Sequence, residues 1–175
     1  MSCITNEPKH KNGILQAIRE QLEHRAMWLY LLCDEAQQKG LAWEDFAETA
    51  IRRCGCFQGM NLVKKGKTDS FKGLKSTLFT LPARLVFEMD IVESTDETLS
   101  IDFHYCPLVK AWQKLGCTDE EIGQLCDIAM CGDRGIAASY GGRLELPKTI
   151  AHGDSHCEIR FKKGYESGKK EDEHP

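Results

Sequence analysis

The chain has 175 residues, of which 41% are hydrophobic and 29% charged, so it can bury one core and a single domain is expected. A formal charge of −4 without long blocks of like charge argues against binding to nucleic acid or to an anionic membrane. No apolar run approaches the roughly 18 residues of a membrane span, and the first residues lack the pattern of a secretory leader. We therefore expect a cytoplasmic protein, and we leave open whether it forms a homodimer.

Helical spacing predicts two long helices in the first third of the chain. The first runs from about 10 to 39 and would bury Ile14, Ile18, Leu22, Leu29 and Cys33. The second, after Gly40, runs from about 42 to 60 with Trp43, Phe46, Ala47, Ala50, Ile51 and Cys54 on one side. Their lengths predict an antiparallel hairpin over about 10–62, followed by a short helix capped by Ser70.

The apolar period changes to two after Pro82, which predicts a strand containing Leu85, Phe87, Met89 and Ile91. Ile101, Phe103 and Tyr105 predict a second strand that pairs antiparallel with the first. Pro107 is expected to open a short helix that ends at Gly116, and the capping box Thr118-Asp119-Glu120-Glu121 to start a helix that reaches about Tyr140. Two more strands are predicted over 143–150 and 155–161, and a disordered charged tail over 164–175.

This order predicts an α+β fold with a helical N-terminal half packed on a four-stranded antiparallel sheet, and two further helices between the strand pairs. Residues 1–163 would form one domain, with the sheet and the capped helix over about 83–162. Nine cysteines, an odd number without the spacing of a disulfide framework, favour reduced thiols.

Cys106 is the best candidate thiol, because it precedes the helix that Pro107 opens and a helix N-terminus lowers a thiol pKa. Strand alternation would put it on the same side as Asp102 and His104, either as a catalytic group or on the solvent face of an edge strand. In the capped helix Asp133 falls inside the apolar stripe with Cys126. It is therefore a partnered core aspartate or a general acid or base.

Two further groups of polar residues are candidates. Asp127, Cys131 and Arg134 share another face of the capped helix and could form only a solvated ion-pair strip. His152, Asp154, His156 and Cys157 lie within six residues around Gly153, with His156 on the opposite face from Cys157. Such residues could bind a metal, but no pair has C-x₂-C spacing, and no cofactor is predicted.

The run Cys106-Pro107-Leu108, then Gly116, then Cys126-Asp127, then Gly153-Asp154-Ser155-His156-Cys157-Glu158-Ile159-Arg160-Phe161 resembles the C-terminal pattern of the L-2-amino-thiazoline-4-carboxylic acid hydrolase family. The resemblance implies a hydrolase that opens a small cyclic amidine or amide at a carbon–nitrogen bond and gives an N-carbamoyl-cysteine type of product. The alternative is a non-enzymatic module of the same fold that binds a small ligand or a metal.

For such a substrate the candidate roles remain paired alternatives. The nucleophile would be Cys106 or Cys157, and the proton shuttle His104 or His156. The acid, base or orienting carboxylate would be Asp133 or Asp127, and the clamp for the substrate carboxylate Arg134 or Arg160. Cys126 and Asp154 join these candidates because both are positions of the matched pattern.

Overall fold

A computed structural model describes residues 2–164 and confirms the α+β fold. Its elements are α1 (Gly13–Gln38), α2 (Trp43–Gly66), α3 (Phe71–Thr77), α4 (Leu81–Phe87), β1 (Met89–Ser94), β2 (Thr98–Phe103), α5 (Pro107–Leu115), α6 (Asp119–Ser139), β3 (Gly142–Glu145), a 3-10 turn (Ile150–His152) and β4 (Cys157–Lys163). Within residues 2–164 no helix combines the length and apolar character that crossing a membrane requires. Apart from Gly164, the predicted charged tail lies outside the described residues.

The four strands form one antiparallel sheet in the order β1-β2-β4-β3. In the centre of the sheet Ile101 pairs with Ile159, and Phe103 pairs with Cys157. Alternate side chains on β4, including Ile159 and Phe161, are buried against the helices, while the residues between them are only half-buried. The sheet therefore has a core face and an outer face, and α5 and α6 connect its two strand pairs as predicted.

Helices α2 and α6 make the most extensive helix contact of the fold, and glycines lie against backbone atoms across it. A Cβ built on Gly55 would lie 1.9 Å from the carbonyl oxygen of Gly132, and one on Gly135 would lie 2.4 Å from that of Arg52. Neither backbone can give way at such distances. The α6 helix, which carries Cys126 and Asp133, is therefore held backbone to backbone against α2.

On α1 the predicted burial is confirmed at Cys33, which is fully buried, but it is wrong at Ile14 and Ile18, which are exposed. The helix turns a different side to the core at its start. Its buried face includes Leu15 and Ala26, and also Arg19 and Glu23, whereas Ile14 is 77% exposed. Arg19 is buried because it forms an ion pair with Glu88 at 3.1 Å and lies over the ring of Tyr105. A paired arginine can occupy a core position that a periodicity argument gives to an apolar side chain. Helix α1 packs mainly on α5 and α2 mainly on α6, and α1 and α2 make a smaller contact with each other.

The first predicted strand begins too early. Leu85 and Phe87 belong to α4, in which Pro82 occupies the first turn, and β1 starts only at Met89. Proline favours the first turn of a helix as well as ending one, and the sequence alone did not separate these roles. Glu88 joins α4 to β1 with a left-handed φ of 52°, and the ion pair with Arg19 holds it there.

The other capping predictions are confirmed. The Ser70 side chain accepts a hydrogen bond from the Gly73 amide, and Thr118 and Glu121 form both hydrogen bonds of the capping box. Gly116 ends α5 in the left-handed conformation. The predicted strand over 143–150 is shorter, because β3 ends at Glu145 and Ile150 already belongs to the 3-10 turn.

Candidate functional site

Three cysteines from different elements meet inside the domain, and we call Cys106, Cys126 and Cys157 the thiol cluster. Cys106 is the N-cap of α5, Cys126 lies on α6, and Cys157 begins β4. A charge on Cys106 or Cys157 would raise the pKa of Cys126, and a charge on Cys106 would raise the pKa of Cys157, so the three thiols lie within electrostatic range of one another. The topology thus brings together thiols that lie 20 to 51 positions apart in the sequence.

Burial dominates the acidity of these thiols. It raises the pKa of Cys106, although the amides of Val109 and Leu108 and the charge of Arg25 act in the opposite direction. Burial also raises the pKa of Cys126, and it raises that of Cys157 to about 12. Cys106 does stand at a helix N-terminus as predicted, but the expected lowering of its pKa is wrong because desolvation outweighs the amides.

Asp133 lies about two turns beyond Cys126 on α6, and its charge acts on the thiol cluster. Burial raises the pKa of its carboxyl group from 3.8 to about 6, against the opposing charges of Arg25 and Arg134. Its charge in turn raises the pKa of both Cys106 and Cys126. Asp133 and Cys106 are half-buried as residues, so the site lies close to solvent. An acid with this pKa close to solvent can exchange a proton at neutral pH.

Two residues of the site were missed by the sequence reasoning. Arg25 stands exposed on α1, yet its charge acts on both Cys106 and Asp133. Asn6 is 3% exposed and clamps the backbone of Cys106: its amide nitrogen donates to the Cys106 carbonyl at 2.8 Å, and its oxygen accepts from the Cys106 amide at 2.9 Å. Arg25 could have been noticed in the sequence because it is a cation that falls within an apolar stripe of α1. The residues around Asn6, in contrast, contain no pattern that indicates its role.

The candidate histidines occupy the outer face of the sheet instead. His104 Nε2 lies 2.9 Å from Asp90 Oδ2, and the His104 and His156 rings are 5.7 Å apart. Arg160 binds Asp102 at 2.7 Å and Glu158 at 3.2 Å, and His156 Nε2 lies 3.6 Å from Glu158. Asp102 and His104 thus share a face as predicted, but Cys106 has turned inward after the strand ends. This arrangement joins His104, His156 and Arg160 to carboxylates rather than to the thiol cluster.

The remaining candidates surround the cluster without joining it. The Asp127 carboxylate lies 3.5 Å from His152 Nε2, and Arg134 donates to the backbone carbonyl of Asp127, so the expected ion-pair strip does not form between their side chains. Asp154 accepts a hydrogen bond from the Thr149 amide at 2.9 Å, and its charge contributes to the raised pKa of Cys157. In the described part of the chain no group of three or more histidine, cysteine, aspartate and glutamate side chains is arranged to hold a metal ion.

The fold and the site define a class of protein: an α+β domain that encloses protonated thiols and a carboxyl group able to titrate near pH 6. The chain belongs to the L-2-amino-thiazoline-4-carboxylic acid hydrolase family, whose model matches residues 19–161. This match confirms the resemblance seen in the sequence and extends it to most of the domain. No curated protein matches the chain.

A solved structure shares the fold. It is described as a trafficking protein particle complex subunit 3 from Naegleria fowleri covalently bound to palmitic acid. The two chains are 19% identical with a TM-score of 0.50, and the alignment covers 80% of this chain and 93% of the other. At this identity the similarity concerns the architecture alone.

Proposed function

We propose that this protein is a hydrolase that opens a small cyclic amidine carrying a carboxylate, of the 2-amino-thiazoline-4-carboxylate type. The observation that supports the proposal is Asp133, a carboxyl group with a pKa of about 6 whose charge acts on the thiol cluster, in a chain of the hydrolase family. Hydrolysis of an amidine needs a group that takes a proton from water and returns it to the departing atom. Asp133 has the acidity for both steps at neutral pH.

Water is a better nucleophile for this site than a thiolate. Burial raises the pKa of Cys106, Cys126 and Cys157 above that of an ordinary thiol, so each stays protonated at neutral pH. Asp133 is mostly ionised at pH 7 and can accept a proton from a water molecule. In this mechanism the protonated thiols form an apolar wall of the substrate site, and Arg25 pairs with the substrate carboxylate.

The bond that breaks follows from the product. Water adds through its oxygen to the carbon of a protonated amidine, and its proton passes to Asp133. In the adduct the ring carbon–sulfur bond then breaks as the carbonyl group forms. The departing sulfur takes the proton from Asp133. The proton of the adduct's hydroxyl group is released to solvent, which balances the proton that the amidinium brought in. This gives N-carbamoyl-cysteine, whereas opening the ring carbon–nitrogen bond, as first expected, would give the S-carbamoyl isomer.

The test is turnover of L-2-amino-thiazoline-4-carboxylate, followed by mass spectrometry, with a thiol reagent to separate the N-carbamoyl product from its S-carbamoyl isomer. We expect Asp133→Asn to lower kcat by about 10² to 10⁴-fold, the usual contribution of general acid–base catalysis. Asp45→Asn is the matched control, because Asp45 is an exposed helical aspartate of α2. Wild-type kcat should rise with pH through about 6 as Asp133 ionises. No turnover by the folded wild type, or full turnover by Asp133→Asn, would refute the proposal.

A second candidate is a binding module in which a thiol of the cluster carries an acyl group as a thioester. The fold shared with a protein described as covalently bound to palmitic acid favours this candidate. Cys106 is the thiol to examine, because it is half-buried while Cys126 and Cys157 are buried. The intact mass of the purified protein before and after neutral hydroxylamine decides between the two functions. A loss equal to an acyl group supports the module, and an unmodified chain with turnover supports the hydrolase.

A further inference from the structure

Helix α1 exposes a regular row of apolar side chains to solvent. The row, which we call the α1 seam, advances in steps of four and three residues through Ile14, Ile18, Gln21, Arg25, Trp28 and Leu32. Its apolar members are 77%, 37%, 62% and 53% exposed in that order, although they would fit a core by type. Alternating steps of four and three keep side chains on one line of a helix, as in a coiled-coil seam. From Ile14 to Leu32 the seam is about 27 Å long.

The α1 seam has the same succession of apolar and polar side chains when it is followed from either end. Ile14 and Leu32 lie equally far from position 23, as do Ile18 and Trp28, and then Gln21 and Arg25. An antiparallel pair of identical helices, related by a twofold axis at position 23, would therefore set apolar against apolar and Gln21 against Arg25. We propose that α1 is the interface of a homodimer in which two copies pair antiparallel along the α1 seam.

Charge at the ends of α1 favours the same direction. Lys9, His10 and Lys11 precede the helix, whereas Asp34 and Glu35 lie in its last turns, where Glu35 forms an exposed ion pair with Lys39 at 3.0 Å. Antiparallel pairing brings the basic end of one copy to the acidic end of the other, and Lys11 and Glu35 are again equally far from position 23. A parallel pair would place like charges together, which disfavours that arrangement.

The centre of the seam supplies the polar contact that fixes the register. The Arg25 guanidinium can donate to the side-chain oxygen of the partner's Gln21, and a polar pair within an apolar seam specifies alignment at some cost in stability. Arg25 also acts on Asp133. The dimer would therefore set the partner's Gln21 against an arginine whose charge reaches the candidate site.

The mass of the full chain, measured in reductant by sedimentation or light scattering over a concentration series, tests the proposal. We expect a dimer for the wild type and a monomer for Trp28→Glu and for Leu32→Glu, because both side chains are exposed and the fold does not need them. Val92→Glu is the control, since Val92 is 58% exposed on β1, away from the seam, and this variant should stay dimeric. Circular dichroism confirms that each variant is folded.

Substitutions at Gln21 test the direction of pairing. In the antiparallel dimer Gln21→Glu meets Arg25 and should lower the dimer Kd about tenfold, while Gln21→Arg should raise it by at least as much. In a parallel dimer the new glutamate would instead face the same glutamate of the partner chain, so Gln21→Glu would weaken that dimer. The proposal is overturned by a wild type that stays monomeric at millimolar concentration, by a folded Trp28→Glu that remains dimeric, or by a Gln21→Glu dimer weaker than the wild type.

Discussion

The raised pKa of Asp133, which serves the proposed function, lowers the stability of the protein at neutral pH. An isolated aspartate has a pKa of 3.8, and in the folded chain burial raises this pKa to about 6. The folded protein therefore holds the proton to a higher pH than the unfolded chain does, and stability falls as the pH rises from about 4 to about 6. Two pKa units correspond to about 3 kcal/mol of unfolding free energy given up at neutral pH.

We predict that Asp133→Asn stabilises the protein at neutral pH, because asparagine has the same shape and never ionises. The gain should be near zero at pH 4, grow through pH 6 and level off at about 3 kcal/mol above pH 7. Urea unfolding of both proteins at a series of pH values measures the difference. A variant less stable than the wild type at pH 7 would show that a partner in the core needs the ionised carboxylate.

At the scale of the elements, the contact between helices α2 and α6 tolerates larger side chains least. Gly55 lies against the backbone of Gly132, and Gly135 against that of Arg52, so the two helices touch backbone to backbone without room for a side chain. The contact also fixes Cys126 and Asp133, which are both on α6. By contrast, α1 packs mainly on α5, and Arg25 reaches the site from an exposed position.

We predict that Gly55→Ala lowers the free energy of unfolding by about 3 kcal/mol or more, because its Cβ would lie 1.9 Å from a backbone oxygen. Gly13→Ala is the control. Gly13 opens α1 with no atom within 4 Å of a built Cβ, so alanine there should be neutral or slightly stabilising. Thermal unfolding followed by circular dichroism compares the two, and equal melting temperatures would contradict the close contact.

Short-range signals predicted the elements well. Capping residues such as Ser70 and Thr118 were sufficient because their hydrogen bonds connect positions three residues apart. On α1 the burial of Cys33 could be predicted, but that of Arg19 could not, since the ion pair that buries Arg19 involves Glu88, 69 positions away. Likewise Cys126 and Asp133 were found from one helix, while the clamp of Asn6 on Cys106 joins residues 100 positions apart.

At the scale of the whole molecule, the N-terminal segment at positions 2–10 ties distant elements together. Ile4 is buried, Asn6 holds the backbone of Cys106, and Cys3 and Ser2 bind Asp119 at the start of α6. His10 donates through its amide to Glu88 at 2.8 Å. The segment precedes the residues that the family model matches, yet it contacts the candidate site.

We predict that deletion of residues 2–8 lowers the free energy of unfolding by about 4 kcal/mol relative to the full chain. The loss combines the burial of Ile4 with the peptide groups of Cys106 that lose their partner Asn6. Glu7→Gln, which removes only the exposed carboxylate that pairs with Lys110, should cost less than about 1 kcal/mol. Urea unfolding of the three proteins measures both effects, and an unchanged midpoint for the deletion would refute the role of the segment.

The distribution of the nine cysteines has a practical consequence for anyone who handles the protein. Only Cys3 and Cys54 are exposed, and the bond from Cys3 to Asp119 raises the pKa of its thiol and slows its oxidation. Air oxidation should therefore begin at Cys54 and join two copies by a disulfide from the surface of α2. Such a covalent pair would have the mass of a dimer without any contact along α1, and Cys54→Ser would prevent this artefact during storage.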